Sequence, residues 1–546
     1  MKSFLNSVGI SLILTILFLY PILSTMGTHL TSREDGIFIA WTINHVSHSL
    51  QTGADLFQVP TFYPFKNTLA YSDPFLTSGL MNIPLTWVTD NIVLMHNVHL
   101  LLGTILTFIS MWLLGRQLFT SRWAAAFSAL IFTFSSMHLH YLVHLHTYLV
   151  AGLPLTLYFL LRWAESKKSV FLFLSTIVFI LQAINAPMTF FFMVSLIICL
   201  LIADKTLRQM IRRNWLLVAM YGVLTLLTIG LVYWPYFQVS QEFKYTRSIR
   251  DAAHFAHSLN RMIEPELWLL YGAVSGILFF RGNTPLEKKH LLIFPLLAVA
   301  TGAVLMLGPA LKVNDQTFKI FGWPMPLPYA VLYYVIPGFK AFRATSRWIT
   351  VFNFGLSLWV GWAVAEYQLP TISKYRHQAL ALIFLGLTTF FWFGNYHTIK
   401  VYPIPLEPPT IYQVLKNRPE RVAAEFPVLS WRMQPYNYLE NDRLLYQAYH
   451  QKVLYNGVSG FTPPIREERW EWLWREFPSP ETIDHLKNEG VEVMIVHYDV
   501  YEEMSDQKYT YAEVPTLQPT AIRDSLRQLK VEEIECLQDK CLYSLL

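Results

Sequence analysis

The sequence predicts a polytopic α-helical membrane protein of about 11 transmembrane helices, followed by a mixed α/β domain at the C-terminus. Three observations predict it. Of 546 residues, 53% are hydrophobic and only 14% are charged, where a soluble domain carries about 25% charged residues. Many apolar runs approach the roughly 20 residues needed to cross a bilayer. Charged residues return after about position 396. These facts exclude a disordered chain and a soluble enzyme of ordinary composition. Three cysteines are too few for a secreted disulfide scaffold.

In chain order, Met1-Lys2 precedes an apolar run from about Val8 to Ser24. A lone lysine before an apolar stretch also fits a signal peptide. The run is longer than most such regions and more apolar segments follow, so it is read as a first span. Further spans are read at 92–114, 122–140, 146–163, 169–186, 188–203, 215–236, 266–281, 290–309, 347–366 and 377–395. The basic residues orient them. Lys2, Arg116 with Arg122, Arg162 with Lys167 and Lys168, the cluster Lys205, Arg208, Arg212 and Arg213, then Arg281, Lys288 and Lys289, and finally Lys374 and Arg376 all fall on one side if there are 11 spans. That side is cytoplasmic by the positive-inside tendency, and it holds the N-terminus.

The opposite side receives a large first loop (25–91), a middle loop (237–265), a later loop (310–346) and everything after 396. The expected division is a transmembrane domain over 1–395 and an extracytoplasmic α/β domain over 396–546, in an inner-membrane, multi-pass protein. Segment 74–88 is apolar but holds Pro74, Gly79 and Pro84, and reads as an interfacial or re-entrant helix. The tail from 397 carries about 23 acidic and about 16 basic residues. The net charge of +5 therefore comes from cytoplasmic loops and reports topology, not nucleic-acid binding. In the tail, Val422–Phe426 and Val491–His497 read as strands. Pro480–Asn488 reads as a helix with Ser479 as its N-cap. Cys536 and Cys541 bracket a turn, where opposed cysteines reach bonding distance and would oxidise outside the cytoplasm.

Chemistry concentrates in the loops opposite the N-terminus. Glu34 and Asp35 lie just past the first span. A carboxylate there is placed to act as a general base, and it also suits the start of the helix that the spacing predicts from Ile37 to Leu50. Asp73 is a second acid in the same loop, able to cap a helix, orient an acceptor or hold a metal. His138, His140, His144 and His146 crowd one turn. Zinc is one reading; hydrogen bonding at the mouth of a site, near a phosphate, is the other, and it is preferred because no cysteine lies near. The middle loop holds Lys244, Arg247, Arg250, Asp251, His254, His257 and Arg261, and the later loop Lys340, Arg343 and Arg347. Arginine suits bidentate phosphate binding, and cations on this face run against the positive-inside tendency. They either meet an anionic lipid head group or pair with the acidic tail. No phosphate-binding glycine loop, dinucleotide fingerprint, zinc-protease motif or nucleophile elbow occurs. Ionisable residues are nearly absent from mid-span, against a proton-coupled transporter.

An inside-start helix, an early acid in a large first outer loop, many spans and an outer C-terminal domain resemble the GT-C glycosyltransferase superfamily. Phe62-Tyr63-Pro64-Phe65 with Ser72-Asp73, His144-Leu145-His146 leading to Leu153-Pro154-Leu155, Leu307-Gly308-Pro309, Leu327-Pro328-Tyr329, Phe342 to Trp348 and Asn456 to Phe461 look most like YfhO-type bacterial membrane proteins. The resemblance implies a polyprenyl-phosphate-linked sugar donor and a glycan, lipid or protein acceptor of the cell envelope, with hexosyl or pentosyl transfer. It implies Asp35 as general base with Glu34 beside it, and Asp73 at the second acid, where the family's His-Pro-Pro is here Ser72-Asp73-Pro74. Arg343 and Arg347, with Arg247 and Arg250, would hold the donor phosphate, and His144, His146 and Tyr63 would line the site mouth. A divalent metal, Mg or Mn, is optional. The rival reading is a non-catalytic scaffold, lipid-binding protein or flippase of envelope assembly, in which the acids cap helices.

Overall fold

The computed structural model of the protein describes residues 2–119, 121–244, 246–261, 291–366, 399–429, 438–505 and 518–546, with single positions 383, 386 and 389 besides. The chain forms two compact units. One is Met1–Ser24, Asn97–Val232 and Tyr245–Lys400; the other is Thr25–His96, Tyr233–Lys244 and Val401–Leu546.

Apolar helices dominate the first unit, because only a helix satisfies its own backbone in lipid. Among the described residues, five helices are long and apolar enough to cross a membrane: Ile92–Leu118, Arg122–Val143, Leu145–Ser166, Trp215–Glu242 and Thr345–Ala365. Pro187–Ala203 and Lys205–Arg213 make a further pair, bent by 103°, and Asn6–Phe18, Ser169–Asn185 and Ile293–Met306 are shorter apolar helices. The spans expected at 266–281 and 377–395 lie outside the described residues, three single positions apart. The helix expected over 215–236 continues to Glu242. Gln238 to Glu242 end the apolar run without ending the helix, since hydropathy marks the bilayer's edge and not the last helical turn.

Backbone contact joins two of these helices. A Cβ on Gly302 would lie 2.3 Å from the Phe352 nitrogen, and one on Gly355 would lie 2.6 Å from the Val299 nitrogen. Ile293–Met306 and Ile349–Glu366 thus meet at glycines, the close approach that small residues permit where water gives no driving force. At the 103° bend, Asp204 Oδ1 accepts the amides of Thr206 (2.7 Å) and Leu207 (3.0 Å). Arg208 donates to the carbonyls of Leu201 and Ile202. One side chain satisfies the new helix's first amides and the other the old helix's last carbonyls. Helix Lys205–Arg213 buries Leu207 and Met210 and turns its cations outward, the pattern of a helix lying in an interface.

The second unit is built on a five-stranded sheet. Its strand order is Glu532–Leu537, Lys540–Ser544, Val493–His497, Val422–Phe426 and Val453–Leu454. The first two pairings are antiparallel and the last two parallel. Val422–Phe426 and Val493–His497 are buried at every position, as strands covered on both faces must be. Helix Pro480–Asn488 starts at Ser479, whose hydroxyl accepts the Thr482 amide while Thr482 Oγ1 accepts the Ser479 amide (2.8 Å). Cys536 and Cys541 are opposed in register and joined by a disulfide.

Residues 25–96 fold with this sheet, whereas the sequence attached 25–91 to the membrane domain. Phe62 and Tyr63 donate their amides to Asn456 O (2.9 Å) and Leu454 O (3.0 Å), and Leu454 donates to Pro60 O (3.0 Å), so the loop extends the sheet's edge. Arg466 lies between the rings of Phe65 (4.7 Å) and Tyr455 (4.0 Å) and donates to Tyr63 O. These partners stand about 400 positions apart in sequence, so no local pattern announces them. Segment 74–88 forms a helix over Leu76–Thr86 only, about 16 Å long at 1.5 Å per residue and too short to span. It packs on helix Glu34–Thr52, where a Cβ on Gly79 would lie 2.2 Å from Val46 Cγ1 and Asn82 donates to Ser47 Oγ (3.0 Å).

Candidate functional site

Glu34 and Asp35 occupy the first turn of helix Glu34–Thr52 and are exposed. Carboxylates are favoured there by the helix's positive end. Burial, and then the charge of Asp35, raise the Glu34 acid above its ordinary value. Two ties fix the helix. Arg33, at the N-cap position, forks onto Asp442 (Nε to Oδ1 3.2 Å, Nη2 to Oδ2 2.5 Å) and lies 4.7 Å over the ring of Tyr438. One turn further in, Trp41 Nε1 donates to Gln447 Oε1 (2.8 Å). Both partners lie on helix Tyr438–His450.

That helix is keyed to the sheet by Arg443. Its guanidinium donates to Glu440 and lies 3.4 Å from Glu425, and both carboxylates are buried. Glu425 also accepts from Tyr412 OH (2.6 Å) and meets His497 Nε2 (2.8 Å). Burial pushes the Glu425 acid up, but His497, Arg443 and Tyr412 outweigh it and hold it at about 2. His497 is lowered by burial against the pull of Glu425, and Glu440 is raised by burial. A buried charged network of this kind sets the orientation of the helix it belongs to.

Asp73 sits two residues before Phe75, which is the N-cap of Leu76–Thr86 and gives no side-chain cap. Asp73 acts electrostatically on Tyr233 and Tyr236, and Tyr236 OH donates to Ser72 O (2.6 Å). It faces a tyrosine pair. Tyr63 is held by Leu454 and Arg466 through its backbone, and its hydroxyl would lie 3.1 Å from a Cβ on Gly490. Its contacts anchor the loop to the tail.

The cations gather in the first unit. Thr345 Oγ1 donates to Ala252 O (3.2 Å) and the Ser346 amide to Phe255 O (3.3 Å). Helix Ile249–His254, which carries Arg250, is thereby bonded to the segment carrying Arg343 and Arg347. Arg343 lies 5.2 Å over the ring of Phe255, and Arg247 O accepts from Tyr333 OH. Arg347 acts electrostatically on Tyr141 and His146, Tyr141 OH reaches Ser346 O at 3.5 Å, and the rings of His144 and His146 are 5.7 Å apart. Arginines and imidazoles from three chain segments thus share one neighbourhood, a donor set suited to an anion.

No protein-family profile matches the sequence, and no curated protein does. Among solved structures, arabinofuranosyltransferase AftD from Mycobacteria aligns over 100% of this chain and 40% of its own, with TM-score 0.59 and 13% identity. A mutant of that enzyme aligns with TM-score 0.58 and 14% identity over 100% of this chain and 41% of its own. The Archaeoglobus fulgidus oligosaccharyltransferase aligns over 95% of this chain and 70% of its own, with TM-score 0.44 and 11% identity. The chain shares its fold with that arabinofuranosyltransferase along its whole length. It is a multi-pass membrane protein, and it spans about 40% of the length of AftD.

Within this fold, Glu34, Asp35, Asp73 and Tyr63 belong to one unit and Arg247, Arg250, Arg343, Arg347, His144 and His146 to the other. Among the described residues, the acids bring no third His, Cys, Asp or Glu into a metal-ligand group. The one such group is Glu533 with Cys536 and Cys541, whose sulfurs are taken up by the disulfide. Sequence reasoning missed Arg33, Asp442, Tyr141, Tyr233 and Tyr236. Arg33 adjoins the acids and Tyr141 lies inside the histidine-rich turn, so proximity was a usable signal for those two. Asp442 and the tyrosine pair carry none.

Proposed function

We propose that this protein is an integral-membrane glycosyltransferase that moves a hexosyl or pentosyl unit from a polyprenyl-phosphate-linked donor to an extracytoplasmic glycan, lipid or protein acceptor. In this reading 11 spans place the N-terminus in the cytoplasm of the inner membrane and the 396–546 domain outside, and the chain is similar to YfhO-type membrane proteins. The reading rests on one observation above all: an exposed carboxylate pair at a rigidly tied helix start, in a chain that shares its fold with an arabinofuranosyltransferase along its whole length.

Asp35 takes the proton of the acceptor hydroxyl as that oxygen attacks the anomeric carbon. Glu34 beside it orients the acceptor. Asp73 with Tyr233 and Tyr236 lines the acceptor side. The sugar–phosphate bond breaks, and the lipid phosphate leaves with its charge held by Arg343, Arg347, Arg247 and Arg250, with His144 and His146 donating hydrogen bonds. Attack opposite the leaving group inverts the anomeric centre. Fixed cations supply the charge stabilisation, so Mg or Mn is optional. Tyr63 is a loop anchor near the mouth. The test is mass spectrometry of envelope glycans from a deletion strain complemented with wild type or Asp35→Asn. Wild type restores a product that the variant, expressed at equal level, does not. Restoration by Asp35→Asn returns the protein to the class of scaffolds and flippases.

A further inference from the structure

Between Ile293–Met306 and Thr345–Ala365 lies a segment whose surface is unlike that of a solvated loop. Lys319–Ile320 pairs antiparallel with Trp323–Pro324 through a two-residue turn, Phe321-Gly322. Both turn residues have positive φ, 49° and 83°, the geometry that selects Asn, Asp or Gly. Phenylalanine at that place is strained by its Cβ, and the fold gains no packing from it: Phe321 is 98% exposed and Trp323 is 79% exposed. Helix Pro328–Val335 follows, and its Val331, Tyr334 and Val335, at i, i+3 and i+4 on one face, are exposed as well.

The hairpin stands close to the end of an apolar helix. Leu311 donates to Met325 O (3.1 Å) and Leu327 to Pro309 O (3.0 Å), and Pro309 is three residues past Met306. From Gln316 to Lys340 the chain holds no Asp or Glu, and its only charges are Lys319 and Lys340. Lys340 lies 5.9 Å and 5.8 Å over the rings of Tyr333 and Tyr334. Aromatic residues flanked by lysines and free of acids match the head-group zone of a bilayer, where indole and phenol rings settle and cations meet phosphate.

We propose that residues 316–340 form an interfacial anchor, with Phe321 and Trp323 at the hairpin tip and the Val331–Tyr334–Val335 face seated in the bilayer surface beside the Thr345–Ala365 helix, and Lys319 and Lys340 at lipid phosphates. The anchor pins the loop that carries Arg343 and Arg347 against lipid. The burial of aromatic area in the interface offsets the strain at Phe321.

The test uses the full-length protein with Cys199→Ser in lipid nanodiscs, labelled with an environment-sensitive fluorophore at Phe321→Cys, and with Glu481→Cys on an exposed tail helix as the control. Doxyl groups on the lipid chains should remove most of the emission at position 321, while iodide in the water leaves it unchanged; the control should respond in the reverse way. Quenching at 321 by iodide and not by doxyl lipid overturns the anchor. Protection from both quenchers also overturns it, because a second copy or another protein then covers the tip. Trp323→Cys, labelled in the same way, gives the same readout if Phe321→Cys fails to fold.

Discussion

At the scale of single residues, two arginines of similar appearance do different work. Arg33 is 39% exposed, so its pair with Asp442 adds only about 1 kcal/mol or less to stability. Its effect is on geometry, because it fixes the turn that carries Asp35. Asp442→Asn should leave the melting temperature nearly unchanged while lowering kcat for sugar transfer with little effect on KM, read from initial rates in purified membranes. Arg443 lies between two buried carboxylates, and Arg443→Met strands both. That should cost about 3–5 kcal/mol, seen as a large fall in melting temperature. Acid should act on the same core. His497 and His450 are held below 6.5 by burial, His450 at about 4, so the unfolded chain takes up protons first and stability is lost as pH falls below 6.5. Glu425, held at about 2, contributes stability above pH 4.5 that is lost below it. Glu440, raised by burial, works the other way. Asp442, likewise raised by burial, joins Glu440 in opposing, but the two histidines and Glu425 outweigh them, so melting temperature should drop steadily from pH 6.5 to 4, with a smaller drop in His450→Gln. None of this core could be read from sequence, because Glu425, Glu440, Arg443 and His497 each look like an ordinary surface residue until the sheet brings them together.

At the scale of elements, packing by glycine makes the sharpest prediction. Gly302 and Gly355 leave no room for a side chain against Phe352 and Val299. Gly302→Leu should separate the helices and cost at least about 1–3 kcal/mol by overpacking, measured as loss of folded protein in detergent melts, whereas Leu at Gly222, with open space around it, should be neutral. The elements themselves were largely legible. Apolar runs marked the described helices, and turn chemistry at Ser479 marked its helix start, because those signals are local. Helix ends were less legible, as at Glu242, since the sequence reports where lipid ends. The fate of segment 74–88 was half legible: its prolines argued against a span, but its place on the Glu34–Thr52 helix depends on Gly79 meeting Val46.

At the scale of the whole molecule, a helical membrane architecture followed by a mixed α/β tail was legible in the order of its parts: many apolar runs, then the return of charge after position 396. The assignment of the first loop was not. Residues 25–96 belong with the tail because Arg466, Tyr455 and Trp470 receive Phe62 to Phe65, and such long-range pairing has no sequence signature. That assignment gives the tail a role, since it supplies Asp442 and Gln447 to the helix that bears the proposed base. The central claim is that a carboxylate near the start of the chain removes the acceptor's proton. The most direct measurement is single-turnover transfer of a radiolabelled sugar from polyprenyl-phosphate donor by purified protein, comparing wild type with Asp35→Asn at equal donor binding. The account predicts a rate lower by about 10²–10⁴ in the variant with donor binding retained; an unchanged rate would contradict it.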